Sequence, residues 1–119
     1  MSDVLEQLQA TLRLRKAADP ETSYVASLHQ KGLNKILEKV GEEATEVILA
    51  AKDVQRGAGR AELVGEVADL WFHSMVMLSH LDVNISEVTD CLAARFGNSG
   101  IAEKAGRTGR SSSQTRAGE

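Results

Sequence analysis

Two long stretches carry apolar side chains at intervals of three and four, the spacing of helices that turn one face inward. On the roughly 100° step of an α-helix, Leu33, Ile36, Leu37, Ala44, Val47, Ile48 and Ala51 fall within about 80° of Val40, forming one packing stripe. Lys39, Glu43 and Glu46 line the edge of that stripe, and Glu42 lies further round. Around Val67, the residues Leu63, Val64, Leu70, Trp71, Ser74, Leu78 and Leu81 make a second inward stripe. Beside it Glu62, Glu66, Asp69 and His73 recur at steps of four, three and four, which aligns them in one column on the helix surface. Gly57-Ala58-Gly59 divides the two stretches, so helices over roughly 33–56 and 60–81 are predicted to fold back on each other as an antiparallel pair.

Shorter elements flank this pair. Asp3 followed by Glu6 reads as a capping box, and Val4, Leu5, Leu8 and Leu12 predict a first helix ending near Ala18, before Asp19-Pro20. Its last turn holds Arg13, Arg15 and Lys16, which complement the helix dipole or face an anionic ligand. Residues 22–31 predict a short helix stopped by Gly32, and a last helix is expected from the N-cap Ser86, with Glu87 in its first turn, to Gly97.

Composition supports an all-α fold. Of 119 residues 42% are hydrophobic and only 3% aromatic, so the core draws on Leu, Val, Ile and Ala. Such a short helical chain has much surface for its volume, and a second copy is the simplest cover for surplus apolar area; a homodimer is expected. From Gly106 the chain is almost without apolar side chains, so residues 1–105 are expected to fold and 106–119 to form a disordered tail. The net charge of −3 argues against nucleic-acid binding. No apolar run spans a bilayer and no signal peptide is visible, so no membrane partner and a cytoplasmic location are expected. Cys91, the one cysteine, is expected to pack among Val88 and Leu92.

The acids carry the chemistry. Carboxylates crowded at the margins of two facing helices repel one another unless a cation lies among them. Magnesium suits oxygen donors and leaves positions for phosphate, and one cysteine with three scattered histidines offers no competing site. Acids at helical spacing are more often a solvated face, but two such clusters beside apolar stripes on consecutive helices favour a metal site.

Glu42-Glu43-x-x-Glu46, followed after nineteen residues by Glu66-x-x-Asp69, resembles the signature of the all-α nucleoside triphosphate pyrophosphatases that include MazG proteins and dimeric dUTPases. Three further stretches resemble the phosphoribosyl-ATP pyrophosphatase family: Ser23–Leu28, Lys35–Ala44, and Arg95-Phe96-Gly97-x-Ser99-Gly100-x-x-Glu103-Lys104-Ala105. With Ala68–His73 they cover most of residues 4–107; Trp71-Phe72 departs mildly from the family's usual pair, and a monofunctional protein without the fused cyclohydrolase domain of many relatives is expected.

The resemblance implies a MazG-like helical bundle whose antiparallel metal-binding helices are completed by dimerisation. It implies hydrolysis of the α–β phosphoanhydride of 1-(5-phosphoribosyl)-ATP to 1-(5-phosphoribosyl)-AMP and pyrophosphate, the second step of L-histidine biosynthesis. Glu43, Glu46, Glu66 and Asp69 are the expected magnesium ligands, and Glu42 or Glu46 the group that takes a proton from the attacking water. Lys35, Lys39, Arg95, Ser99 and Lys104 are the expected substrate contacts, although Lys39 also reads as an ion-pair partner of Glu43. His73 is placed to steady a carboxylate or to pack, and Tyr24 to meet substrate or to pack; His29 and His80 have no visible constellation. Two other readings stay open: a pyrophosphatase for free nucleoside triphosphates, and a metal-binding helical dimer without catalysis.

Overall fold

The structure, a computed structural model, describes residues 2–97. Five helices make up this span: α1 (Ser2–Lys16), α2 (Tyr24–Lys31), α3 (Leu33–Gln55), α4 (Ala61–His80) and α5 (Ile85–Gly97). The all-α expectation holds, with no strand among the described residues. The chain forms two units, Met1–Val83 and Asn84–Glu119, the second represented here by α5. The expected tail 106–119 lies outside the described residues.

Local chemistry sets the helix ends. The carbonyl of Asp19 accepts from the backbone N–H of Thr22 (3.1 Å) and Ser23 (2.9 Å), turning the chain sharply after α1. Ser23 then caps α2, its Oγ accepting from the Ala26 N–H at 3.1 Å. Gly32 closes α2 and opens α3 at φ 101°, a left-handed backbone that suits a residue without Cβ. At the far end of α3, Gly57 (φ 109°) ends the helix while the Ala58 N–H reaches back to the Asp53 carbonyl at 3.0 Å. A similar stop ends α4, with Asp82 at φ 59° and the Val83 N–H on the Leu78 carbonyl at 2.9 Å.

One cap differs from expectation. α5 begins after Asn84, not Ser86: Asn84 Oδ1 accepts from the Ser86 N–H (2.8 Å), and Glu87 Oε2 accepts from the Asn84 N–H (3.2 Å). That is a reciprocal capping box in which Ser86 sits inside the first turn. Cys91 is exposed on α5, not packed, and its neighbours Val88 and Leu92 are exposed as well.

Within the first unit, α3 and α4 pack along their length, α1 lies on α2 and α4, and α2 lies on α3. Leu12, Val25, Ala26, Leu28, Ile36, Ala50, Met75 and Val76 form the buried core. The buried arcs are not centred on Val40 and Val67. On α3 the buried positions are Ile36, Glu43 and Ala50, an arc turned about 60° from Val40 toward the acids. On α4 they are His73, Met75, Val76 and Ser79, whereas Val64, Trp71 and Leu81 of the expected inward stripe are 65%, 54% and 50% exposed. Apolar residues occupy a wider sector of each helix than one chain covers. The neighbouring helices lie on the acidic side, which leaves Leu37 and Ile48 of α3 open with Val64 and Trp71 of α4.

Candidate metal and nucleotide site

The acids of α3 and α4 converge because the two helices run antiparallel. Glu43 pairs in space with His73, and Glu46, further along α3, pairs with Glu66, earlier on α4. Glu43, Glu46 and Glu66 each offer a carboxylate oxygen, all within 4.8 Å of one another. Glu43 is 7% exposed, an unusual depth for a carboxylate. Its Oε1 and that of Glu66 are shielded from solvent with no hydrogen-bond partner among the described residues. Like charges brought together and partly stripped of water are costly, and a cation removes that cost.

The electrostatics agree. Burial pushes the Glu43 carboxyl above its usual range, with Glu46 and Asp69 adding to the rise and His73 and Lys39 opposing it. Glu66 is raised first by a hydrogen bond to Glu46 and then by burial, with the charges of Glu46, Asp69 and Glu43 adding to it. Hard oxygen donors, unpaired lone pairs and raised proton affinity fit a divalent ion such as magnesium, with Glu43, Glu46 and Glu66 to hold it.

The remaining expected site residues fall in different places. Asp69 is exposed, one turn beyond Glu66; its charge acts on Glu43 and Glu66, but its carboxylate lies outside the tight trio. Glu42 is exposed and bonded to Lys39 at 3.1 Å, so the lysine pairs three residues on and not with Glu43. Lys35 pairs with Glu38 at 3.2 Å. Both lysines lie on α3 with Glu43 and Glu46, held by partners on the surface. Arg95 lies near the end of α5 in the second unit, while Ser99 and Lys104 are outside the described residues.

His73 and Tyr24 prove more connected than spacing shows. His73 is 6% exposed; its Nδ1 is 2.9 Å from the main-chain carbonyl of Asp69 and 4.0 Å from Glu43 Oε2. Its Nε2 meets the Tyr24 hydroxyl at 2.7 Å, which ties α2 to the acidic face. Burial raises the Tyr24 pKa, opposed by Lys39 and reinforced by Glu43.

A pairing of the other two histidines was not foreseen at all. His29 and His80 stack with ring centroids 5.1 Å apart and Nδ1 atoms 2.9 Å apart. Each stands in the last turn of its helix, α2 or α4, and that shared position is the only signal the sequence offered.

Comparison with known proteins extends the site's chemistry. The family model described as phosphoribosyl-ATP pyrophosphohydrolase matches residues 5–96, a span running from α1 into α5. A phosphoribosyl-ATP pyrophosphatase from Hydrogenovibrio crunogenus (strain DSM 25203 / XCL-2) is 54% identical over 107 residues, covering 90% of this chain and 95% of that protein. The match embraces both acidic helices together with Tyr24 and His73, and by it this chain belongs to the phosphoribosyl-ATP pyrophosphohydrolase family.

Proposed function

We propose that this chain hydrolyses the α–β phosphoanhydride of 1-(5-phosphoribosyl)-ATP, releasing 1-(5-phosphoribosyl)-AMP and pyrophosphate in the second step of L-histidine biosynthesis. The convergence of Glu43, Glu46 and Glu66, with buried unpartnered oxygens, carries the reading. Family membership and the name of the similar protein direct it to this substrate.

Magnesium is the proposed cofactor, held by Glu43, Glu46 and Glu66 with Asp69 as a further ligand. When bound it would neutralise phosphate charge and ease departure of pyrophosphate. The chain's own groups do the rest. A water attacks the α-phosphorus opposite the departing pyrophosphate; the new P–O bond forms as the bridging P–O bond breaks, and a carboxylate receives the water's proton. Glu46 is the better base, because it belongs to the trio and Glu42 stands apart from it. Lys35 and Lys39 can exchange their surface carboxylates for phosphate oxygens, and Arg95, Ser99 and Lys104 are proposed to bind the ribosyl phosphate or the neighbouring subunit.

A homodimer in the cytoplasm is part of the proposal. No described helix is long and apolar enough to cross a membrane. The open side of the long helices, with Leu37, Ile48, Val64 and Trp71, is the surface a second copy would cover.

The deciding experiment is pyrophosphate release from phosphoribosyl-ATP with magnesium, beside a panel of free nucleoside triphosphates and a chelator control. Magnesium-dependent release from phosphoribosyl-ATP alone is expected. Preference for a free triphosphate, or no release, overturns the assignment. Light scattering of the same preparation is expected to give twice the chain mass.

A further inference from the structure

The bonding of His73 dictates the polarity of Tyr24. The partner of His73 Nδ1 is the main-chain carbonyl of Asp69 at 2.9 Å, which has no proton to give. In the neutral ring Nδ1 is therefore the protonated nitrogen, and Nε2 carries the lone pair. The Tyr24 hydroxyl, 2.7 Å from Nε2, must donate to it. A phenol has one proton, so the Tyr24 oxygen is left as an acceptor only.

That oxygen belongs to a side chain 50% exposed at the start of α2, whose position is set by the Ser23 cap. Its ring stacks on Phe72 at 6.4 Å and 18° and meets His73 edge-on, so it is braced on two sides. Lys39, Glu43, Glu42 and Lys35 all act on it electrostatically, which puts it beside the acidic face and its lysines. A braced, half-exposed acceptor at the margin of a polyphosphate site has a restricted choice of partner. Phosphate oxygens are acceptors themselves and gain nothing from it. The donors of a nucleotide are its sugar hydroxyls and the exocyclic nitrogen of its base.

We propose that Tyr24 is a substrate-contact residue that accepts a hydrogen bond from an O–H or N–H of the nucleoside part of the substrate, with His73 as the positioning residue that fixes this polarity. The inference rests on the reaction proposed above and names the part of that substrate read at this edge of the site.

The test compares wild type, Tyr24→Phe, His73→Gln and His73→Leu on phosphoribosyl-ATP and on its 2′-deoxy, 3′-deoxy and N6-methyl analogues. Tyr24→Phe keeps the ring and its stacking, and is expected to raise KM about tenfold with kcat within about twofold, the effect of one lost hydrogen bond. Wild type is expected to lose about as much in kcat/KM on one analogue, which identifies the donor, while Tyr24→Phe does not distinguish that analogue from the parent. His73→Gln, which keeps an acceptor for the phenol, retains the discrimination; His73→Leu, which frees the phenol proton and lets the hydroxyl turn to donate instead, weakens it. A Tyr24→Phe variant with wild-type KM, or one whose KM rises equally on every analogue, overturns the proposal while leaving the reaction intact. Failure of wild type to turn over phosphoribosyl-ATP overturns both.

Discussion

Two polar clusters lie against α4, and they are built on opposite electrostatic plans. Toward its middle, Glu66 meets Glu43 and Glu46 from α3, three groups of one sign with buried oxygens left unpaired. At its C-terminal end, signs alternate: Lys16 donates to the Ser79 carbonyl at 2.8 Å and lies 3.7 Å from Asp82, while His29 and His80 share a hydrogen bond as a pair. The second cluster ties α1 and α2 to α4 through opposite charges and a shared imidazole bond, although His29 Nε2 and Ser79 Oγ are buried there without a hydrogen-bond partner among the described residues. The first gathers like charge that a bound cation would balance. What separates them is charge: opposite signs balance at the helix end, whereas like charges crowd at the acidic cluster, the pattern expected of a functional site.

The largest expected effect breaks the first cluster and spares the second. Alanine at Glu43, Glu46 or Glu66 should lower turnover at least about a hundredfold, the scale of removing one electrostatic contributor to a reacting centre. Asparagine at His29 should leave kcat within about twofold. Pyrophosphate release and far-ultraviolet circular dichroism on the same samples check both, and an active Glu46→Ala enzyme sinks the site assignment.

A smaller effect separates the clusters by stability. Magnesium at about ten times its dissociation constant should stabilise the protein by about 1.4 kcal/mol, or several degrees in Tm. Glu43→Gln should abolish most of that gain yet raise the metal-free Tm. The sign follows from proton binding: the Glu43 pKa is raised, so the folded chain holds the proton more tightly than the unfolded chain, and metal-free stability falls as pH climbs through the folded value. Glutamine mimics the protonated form and removes the penalty. Thermal melts with and without magnesium measure it.

The two clusters were unequally legible in the sequence. The acidic one was plain because its members repeat at helical intervals on consecutive helices, and such spacing survives folding. Even so, Asp69 and Glu42 fit the same spacing and lie outside the trio, since periodicity gives an angle on one helix and not the distance across to the next. The buried arcs turned away from Val40 and Val67 for a related reason: hydrophobic periodicity marks every surface that will be covered, without saying which neighbour covers it. The histidine pair joins residues 51 apart at two helix ends, and no single-helix pattern could reveal it. Asn84 outcompeted Ser86 as a cap because Glu87 reaches its N–H and completes the reciprocal pair.

The pH response of the histidine end should run opposite to that of Glu43. Burial lowers the His29 pKa below 6.5, helped by the charge of Lys16 and by His80. His80 and Lys16 face it, with Asp82 beyond as the balancing charge on Lys16. The unfolded chain therefore binds a proton at His29 more readily than the folded one, so stability is full above the unfolded pKa and declines as pH falls through about 6.5 toward the lower folded value. Melts from pH 8 to 5.5 should show this decline in wild type and a shallower one in His29→Asn. Equal slopes would remove His29 as the cause.

The smallest effect asks whether charge matters at that end at all. Asp82 holds a left-handed backbone at φ 59° and faces Lys16 across 3.7 Å, but its side chain is 90% exposed. Screening leaves such a pair worth little, so Asp82→Asn, which keeps the tolerance for left-handed backbone, should cost about 0.5 kcal/mol or less. Asp82→Ala loses that tolerance too and should cost about 1 kcal/mol more. Denaturant melts of the two variants separate the terms. If asparagine costs as much as alanine, the ion pair holds α1 to the end of α4, and the clusters differ in sign only; if asparagine is neutral, the Lys16 bond to the Ser79 carbonyl is what holds α1 there, and net charge is confined to the acidic site.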